Sequence, residues 1–485
     1  MQVNLVKVSI FAGPISAVAA YLSLPPTYFN GSAEEVLIGF GARVAIALAV
    51  WMALWWITEA IPMAITALLP VIVFPLLGIG TLKSSAQAYA HPLIFLFLGG
   101  FIVSIALQKW GLHRRFAVSL LRRVGNEPAQ LVGGFMLATA ALSMWMSNTA
   151  TTIMMLPIAL SVIAGRAENT EFATCLLLGV AYSASIGGMA TLIGTPPNLF
   201  VASYFNDVMQ VDLGFVQWML IGVPCSAILL PSAWFYLTRV KFALARSANP
   251  ADKIVSGPGL VWRELDFAAR GTIVVFLALV FAWLLRPLVK DISIFGYLPF
   301  INLTDAAIAL IAAATLFVLP VDVAQRKFIL DWADTRDLPW GTLILFGGGL
   351  SLAASINATG ADQVIGQWIS RIPIDSPLLL IAIIVALVIL LTELTSNIAT
   401  TATLVPVLAA SAPLLGLDVD VVVPLIALAA SCAFMLPVAT PPNAIIFSSG
   451  RIRGMDMAKA GLIMNVLALV TISAVGYLVI PLVLH

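Results

Sequence analysis

Charge is scarce in this sequence. Only 10% of the 485 residues are Asp, Glu, Lys or Arg, against about 25% in soluble domains. A chain of this length cannot cover itself with a water-facing surface on so little charge. Cysteine and histidine are scarcer still, three of each. Cys175, Cys225 and Cys432 all sit in apolar segments, which argues against a disulfide framework or a metal centre and reads as core. His91 and His113 flank an apolar span and His485 is the last residue, so no nucleophile–base pair presents itself and an enzyme is not expected. The net charge of +1, with basic residues spread through loops, gives no footprint for nucleic acid. A small-residue cleavage site is also missing near the start, so residues 7–24 read as a retained span rather than a signal peptide.

What is present is apolar length. Hydrophobic residues make up 61% of the chain, and several runs reach the roughly 20 residues that cross a bilayer core of about 30 Å. A barrel would show short alternating strands instead. Uninterrupted spans are predicted near 7–24, 36–57, 60–80, 92–109, 214–237, 267–287, 303–320, 338–357 and 456–482. Four more apolar stretches, 129–164, 172–205, 376–413 and 420–450, carry Gly, Pro or a Ser/Asn/Thr cluster in the middle. Membrane helices break in this way where backbone lines a cavity inside the protein. The fold class expected is an all-α polytopic membrane protein with about 11 transmembrane helices.

The two halves repeat. Leu98-Gly99-Gly100 matches Phe346-Gly347-Gly348 at an offset of 248. Ser147-Asn148-Thr149-Ala150-Thr151-Thr152, followed by Pro157, matches Ser396-Asn397-Ile398-Ala399-Thr400-Thr401, followed by Pro406, at an offset of 249. Thr195-Pro196-Pro197-Asn198 matches Thr440-Pro441-Pro442-Asn443 at an offset of 245. If 129–164 and 376–413 each return to the side they entered from, while 172–205 and 420–450 each cross once, nineteen of the 24 Lys and Arg residues fall on the side of the N-terminus. Arg43, Lys83, Arg286, Lys290 and Arg371 fall on the other. That bias places the N-terminus in the cytoplasm and the C-terminus outside, and it makes the repeats inverted. The organisation expected is an N-terminal helix (1–35), a first repeat (36–238) with a hairpin at 129–164, a cytoplasmic linker (239–266), and a second repeat (267–485) with a hairpin at 376–413. Length leans toward re-entrant hairpins, since an arm of 15 residues spans roughly 22 Å.

The breaks carry the chemistry. Thr before Pro-Pro reads as an N-cap followed by Pro at the first helical position, where its missing N–H is not needed. Each break therefore ends one half-helix and starts another. New helix starts, with free N–H groups and a positive dipole end, suit an anion. The carbonyls bared by the preceding half-helix, with Ser, Thr and Asn oxygens, suit a cation. Two copies give two cation sites flanking one anion site. Neither Arg nor Lys lies within the breaks. Glu393, three residues before Ser396 in an apolar run, is a costly charge; it balances cation charge, carries a proton, or bonds to a neighbouring helix. Glu59 lies at a predicted cytoplasmic turn and reads as a capping or packing residue. Two amphipathic stretches, 110–124 with Arg114, Arg115, Arg122 and Arg123, and 360–372 with Asp362 and Arg371, read as interfacial helices.

Paired Ser-Asn-Thr-type strings, each followed by Thr-Pro-Pro-Asn in an inverted duplication, resemble the divalent anion/sodium symporter family over residues 36–482. The resemblance implies sodium-coupled uptake of C4-dicarboxylates (succinate, malate, fumarate), with citrate or sulfate as other dianions. It implies a homodimer in a bacterial inner membrane, with a scaffold and a mobile transport domain that works as an elevator. Carried over by position, one Na+ site is Ser143, Ser147, Asn148 and Gly194, and the other is Thr392, Ser396, Asn397 and Ala439. Substrate would meet Ser147, Asn148, Thr149, Thr195, Ser396, Asn397, Thr440 and Pro441. The second string has Ile398 where the strict form has Thr, which puts a citrate preference in doubt. A sodium-independent dicarboxylate exchanger is the alternative within the family, and an anion channel the alternative from another class.

Overall fold

The structure is a computed structural model that describes residues 2–29, 35–164, 170–244, 258–293, 298–369 and 376–484. Arg166, Arg246, Lys253, Arg371 and His485, used in the charge and composition arguments above, lie outside the described residues. The first part of the chain comprises α1 (Gln2–Ser23), α2 (Phe40–Thr58), α3 (Met63–Thr66), α4 (Leu69–Leu76), α5 (Leu82–Gln87), α6 (Pro92–Lys109) and α7 (Leu112–Leu121). Next come α8 (Pro128–Ser143), α9 (Asn148–Ala164), α10 (Thr170–Gly188), α11 (Pro196–Tyr204) and α12 (Phe215–Phe235). The second part comprises α13 (Phe267–Val289), α14 (Asp305–Val318), α15 (Trp340–Thr359) and α16 (Ala361–Ile369). It ends with α17 (Pro377–Thr392), α18 (Asn397–Ser411), α19 (Val419–Ala430), α20 (Pro441–Phe447), α21 (Gly454–Leu478) and α22 (Ile480–Leu484).

Among the described residues, seven helices are long and apolar enough to cross a membrane. The other predicted spans are shorter or broken. The span expected over 60–80 is α3 and α4, because Pro62, Pro70 and Pro75 punctuate it and glycines at positive φ, Gly78 and Gly80, close it off. Proline removes an amide donor and crowds the preceding turn, so a continuous helix is not available there. The chain is also not wholly helical. Thr27–Phe29 pairs with Glu35–Leu37, and Pro320–Asp322 with Lys327–Phe328, as two short antiparallel ribbons. Both occur in loops between helices, where β-branched and aromatic residues meet turn-forming neighbours.

Helix starts follow local chemistry. α6, α8, α11, α17 and α20 each open on a proline preceded by an extended residue, the position that proline tolerates. Asp266, Thr304 and Ser376 accept the amide three residues on as side-chain caps. The duplicated glycine strings permit close helix crossings. A Cβ on Gly99 would stand 2.7 Å from the backbone of Ala309 in α14, and one on Gly348 would collide with Ala67.

Burial divides the helices. The apolar window of α10 is 94% buried, whereas that of α13 is 22% buried and presents Val274, Leu277, Phe281 and Leu288 outward. From Val421 to Ala430, α19 is buried at every position. α10 packs along α8, and α19 packs against α17 and α18. The two helices that end in breaks are thus enclosed by protein on all sides, the setting in which unwound backbone is tolerated at membrane depth.

Candidate functional site

Two tips are formed by helix ends. α8 stops at Ser143 and α9 starts at Asn148; α17 stops at Thr392 and α18 starts at Asn397. At the first tip, Ser143 Oγ lies 2.6 Å from Asn148 Oδ1 and 2.7 Å from the carbonyl of Ala184 in α10. At the second, Thr392 Oγ1 lies 2.9 Å from Asn397 Oδ1 and 2.8 Å from the carbonyl of Ala430 in α19. A hydroxyl has one proton to give, so each cluster gathers three oxygens around one hydrogen. Hydroxyl, amide and main-chain oxygens are the donor set that hard monovalent cations take at broken helices. Ser147 Oγ accepts the amide of Ala150 and caps α9; Ser396, the N-cap of α18, makes no such bond.

Beyond the tips, α10 ends at Gly188 and α11 starts after Thr195, whose backbone is extended at φ −146°. α19 ends at Ala430 and α20 starts after Thr440, extended at φ −140°. Thr440 Oγ1 accepts the amide of Asn443, whereas Thr195 makes no side-chain cap bond. The fourth residue of each Thr-Pro-Pro-Asn string folds back onto the segment before it. Asn198 Nδ2 donates to the carbonyls of Gly188 (3.0 Å) and Thr191 (2.8 Å). Asn443 Nδ2 donates to those of Ala433 and Leu436, both at 3.0 Å. These asparagines are not among the candidates taken from the sequence, although their place in a repeated string is the signal available.

Glu393 is 5% exposed. Its carboxylate accepts the amides of Phe434 (2.7 Å), Met435 (2.9 Å) and Leu436 (3.1 Å), and Nδ2 of Asn465 on α21 (2.7 Å). Of the roles weighed above, bonding to neighbouring elements is the one its surroundings display.

A cavity of about 1090 Å³ brings both tips and both breaks together. Ser147, Asn148 and Thr149 face Ser396, Asn397 and Ile398 across it, with Gly194 and Thr195 from one break and Ala439, Thr440 and Pro441 from the other. Ser143 and Thr392 are fully buried behind this wall and reach it through the asparagines. Glu59, Lys109, Asp334 and Asp337 also line it. Lys109, the basic residue among those lining it, bonds to Asp334 at 2.7 Å. Glu59 ends α2 in a left-handed conformation at φ +47°, so its place on the cavity wall comes with the capping role expected of it.

The internal histidines lie elsewhere. His91 caps α6 through Nδ1 and meets Asp207 at 2.8 Å through Nε2. His113 Nδ1 lies 2.9 Å from the carbonyl of Leu107, and burial lowers the pKa of that ring. The three cysteines are buried; Cys432 Sγ, on the second break, lies 3.7 Å from Met189 Sδ, on the first.

The chain is similar along nearly its whole length to characterised transporters. It is 35% identical over 491 residues to the sodium-dependent dicarboxylate transporter SdcS of Staphylococcus saprophyticus, covering 98% of this chain and 91% of the relative. SdcS of Staphylococcus aureus strain USA300 is 36% identical over 457 residues, covering 90% and 86%. Among solved structures, the Alcanivorax borkumensis YdaH transporter superposes with a TM-score of 0.61 at 16% identity, covering 98% of this chain and 97% of that one. MtrF of Neisseria gonorrhoeae, from a class of antimetabolite efflux pumps, gives 0.60 at 12% identity, covering 98% and 94%. At those identities the structures speak for the fold. A family model described as the sodium:sulfate symporter transmembrane region matches residues 36–484, and the chain belongs to that family.

Proposed function

We propose that the chain is a secondary carrier that moves C4-dicarboxylates such as succinate, malate and fumarate together with sodium. The observation that carries this reading is the doubling of one oxygen cluster, Ser143–Asn148–Ala184 and Thr392–Asn397–Ala430, at the two tips that face a single cavity. Two such clusters suit two monovalent cations, with one dianion between them. The basic residue lining the cavity, Lys109, is engaged by Asp334. Bound sodium therefore supplies the positive charge that a dianion needs, and the anion site forms after the cations arrive. With Oδ1 of Asn148 and Asn397 turned to the hydroxyls, Nδ2 is the group left to donate to a carboxylate. Ser147, Thr149, Ser396 and the helix starts at Thr195 and Thr440-Pro441 complete the substrate contacts, and Gly194 and Ala439 add carbonyl oxygens to the cation sites. The activity for which the staphylococcal relatives are named supports the same pairing of ion and substrate.

The two sets of elements are read as inverted repeats, 36–238 and 267–485, with re-entrant hairpins and about 11 crossings in all. The N-terminus is cytoplasmic and the C-terminus outside. Glu59, Lys109, Asp334 and Asp337 fall on the cytoplasmic side of that topology, so the cavity they border opens inward. A bacterial inner membrane, a homodimer, and an elevator in which α7 and α16 join the scaffold to the transport domain complete the reading. Three cations per dianion would move net charge and make the step voltage-sensitive.

The test is uptake of radiolabelled succinate into proteoliposomes under an inward sodium gradient, against potassium or choline. Uptake that requires sodium is expected. Uptake that ignores sodium and is driven by internal dicarboxylate would replace symport with exchange. Sulfate, which the family is named for, is the comparison anion.

A further inference from the structure

The first break covers residues 189–195 and the second residues 431–440. Offset by 245, Gly188 corresponds to Ala433, yet α10 runs to Gly188 while α19 stops three residues earlier, at Ala430. Had α19 continued, the amides of Phe434, Met435 and Leu436 would bond to the carbonyls of Ala430, Ser431 and Cys432. All three amides turn instead to Glu393, and the carbonyl of Ala430 accepts Thr392 Oγ1. In the first break the amide equivalent to that of Met435, that of Ala190, bonds within its own segment to the carbonyl of Gly187 at 3.0 Å. Met144 stands where Glu393 would be.

We infer that Glu393 is the positioning residue of the second cation site: its carboxylate replaces helical carbonyls as the acceptor for residues 434–436, and so fixes the opened segment against Thr392 and Asn397. The inference rests on the symport reading of that site. Glu393 caps the end of α17 immediately after Thr392, so the tip and the segment are tied through one side chain. Asn465 ties the same carboxylate to α21, and Tyr182 holds the carbonyl of Phe434 at 3.0 Å from the α10 side. Four N–H groups point at the two carboxylate oxygens. A cation seeking the carboxylate would have to displace them, which separates this residue from the ligands it positions. Glutamine cannot substitute, because its amide presents N–H to the N–H of Leu436. Aspartate keeps the charge but is one methylene short.

The experiment compares the full-length wild type with Glu393→Gln and Glu393→Asp in proteoliposomes. It measures the sodium concentration for half-maximal succinate uptake and the charge moved per succinate. Amide exchange over 431–440 is followed in parallel. Both variants are expected to raise the half-saturating sodium concentration about tenfold, the scale of a lost charge-assisted hydrogen bond. The charge per succinate should stay at the wild-type value, and exchange at 434–436 should accelerate. A charge ratio lower by one sodium in Glu393→Gln makes Glu393 a ligand and overturns the inference. Normal sodium affinity in Glu393→Asp alone makes its charge, not its reach, the active property, and overturns it as well. Where neither variant folds, wild-type exchange decides: slow exchange at 434–436 supports the anchor and loop-like exchange removes it. If the wild type itself ignores sodium, the symport reading fails, while the exchange experiment still tests the anchor.

Discussion

In the first break, Thr191 Oγ1 reaches from the unwound segment to the carbonyl of Met144 at the tip; in the second, Glu393 reaches from the tip to three amides of the unwound segment. In both the segment donates and the tip accepts, but the first tie is one side-chain hydroxyl on a main-chain carbonyl and the second is three main-chain amides on a side-chain carboxylate. Around these anchors three contacts recur in both copies, hydroxyl to asparagine, hydroxyl to helix carbonyl, and asparagine back to carbonyls before its own helix, while the side-chain caps differ, present at Ser147 and Thr440 and absent at Ser396 and Thr195. Both segments are also met by a glycine of a following helix, Gly222 at Met189 and Gly461 at Phe434, where a Cβ would collide with the carbonyl. The hydroxyl–asparagine–carbonyl clusters are thus duplicated, and the anchors behind them are not. A neutral hydrogen bond contributes about 1 kcal/mol and one to a charged group about 1.5–3, so the longer opening of the second segment is matched by the stronger tie.

The largest effect should come from the shared atoms. Asn148→Ala and Asn397→Ala should each lower succinate uptake by about 100-fold or more, since each removes a proposed cation oxygen and a substrate donor. Monodisperse protein in detergent checks folding, and near-normal uptake by either variant would end the claim of equivalence. Next come the unequal anchors. Thr191→Val should raise half-saturating sodium only about threefold to fivefold, from one neutral bond, where Glu393→Gln is expected to raise it about tenfold. Equal shifts would mean that the second anchor is no stronger than the first. Asn198→Ala and Asn443→Ala should each cost about 1–3 kcal/mol, with similar falls in apparent Tm. A fall in only one would show that the clamp matters on one side. Smallest is Ile398→Thr, which restores the hydroxyl that Thr149 carries in the first tip. It should change the KM for succinate by no more than about fivefold and leave half-saturating sodium unchanged.

The sequence discloses side chains better than it discloses partners. Polar clusters inside apolar runs locate the helix ends at Ser143, Asn148, Thr392 and Asn397, and Thr-Pro-Pro locates the starts at Pro196 and Pro441, because capping and proline chemistry are local. Ten of the twelve residues named for ion and substrate line the cavity, and the other two stand directly behind it. Glu393 is conspicuous as a lone charge, but three of its four partners are backbone amides 41 to 43 residues away. Any residue can supply an amide, so such a contact leaves no trace in the sequence. Average apolarity misleads over 60–80, where three prolines outweigh it. The place of Asp334 and Asp337 beside the cavity depends on how a loop folds over α6, which hydropathy does not encode.

A cavity of about 1090 Å³ is far larger than a four-carbon dianion and leaves room for solvent beside it. At about 30 Å³ per molecule, that room is on the order of 30 waters. A carrier that closes this space and opens another across the bilayer must empty and refill it in each cycle. Its two end states then differ in hydration as well as in exposure of the site, and an osmolyte too large to enter draws the protein toward the drier one. Water activity on the side the cavity faces becomes a thermodynamic variable of transport, alongside the sodium gradient.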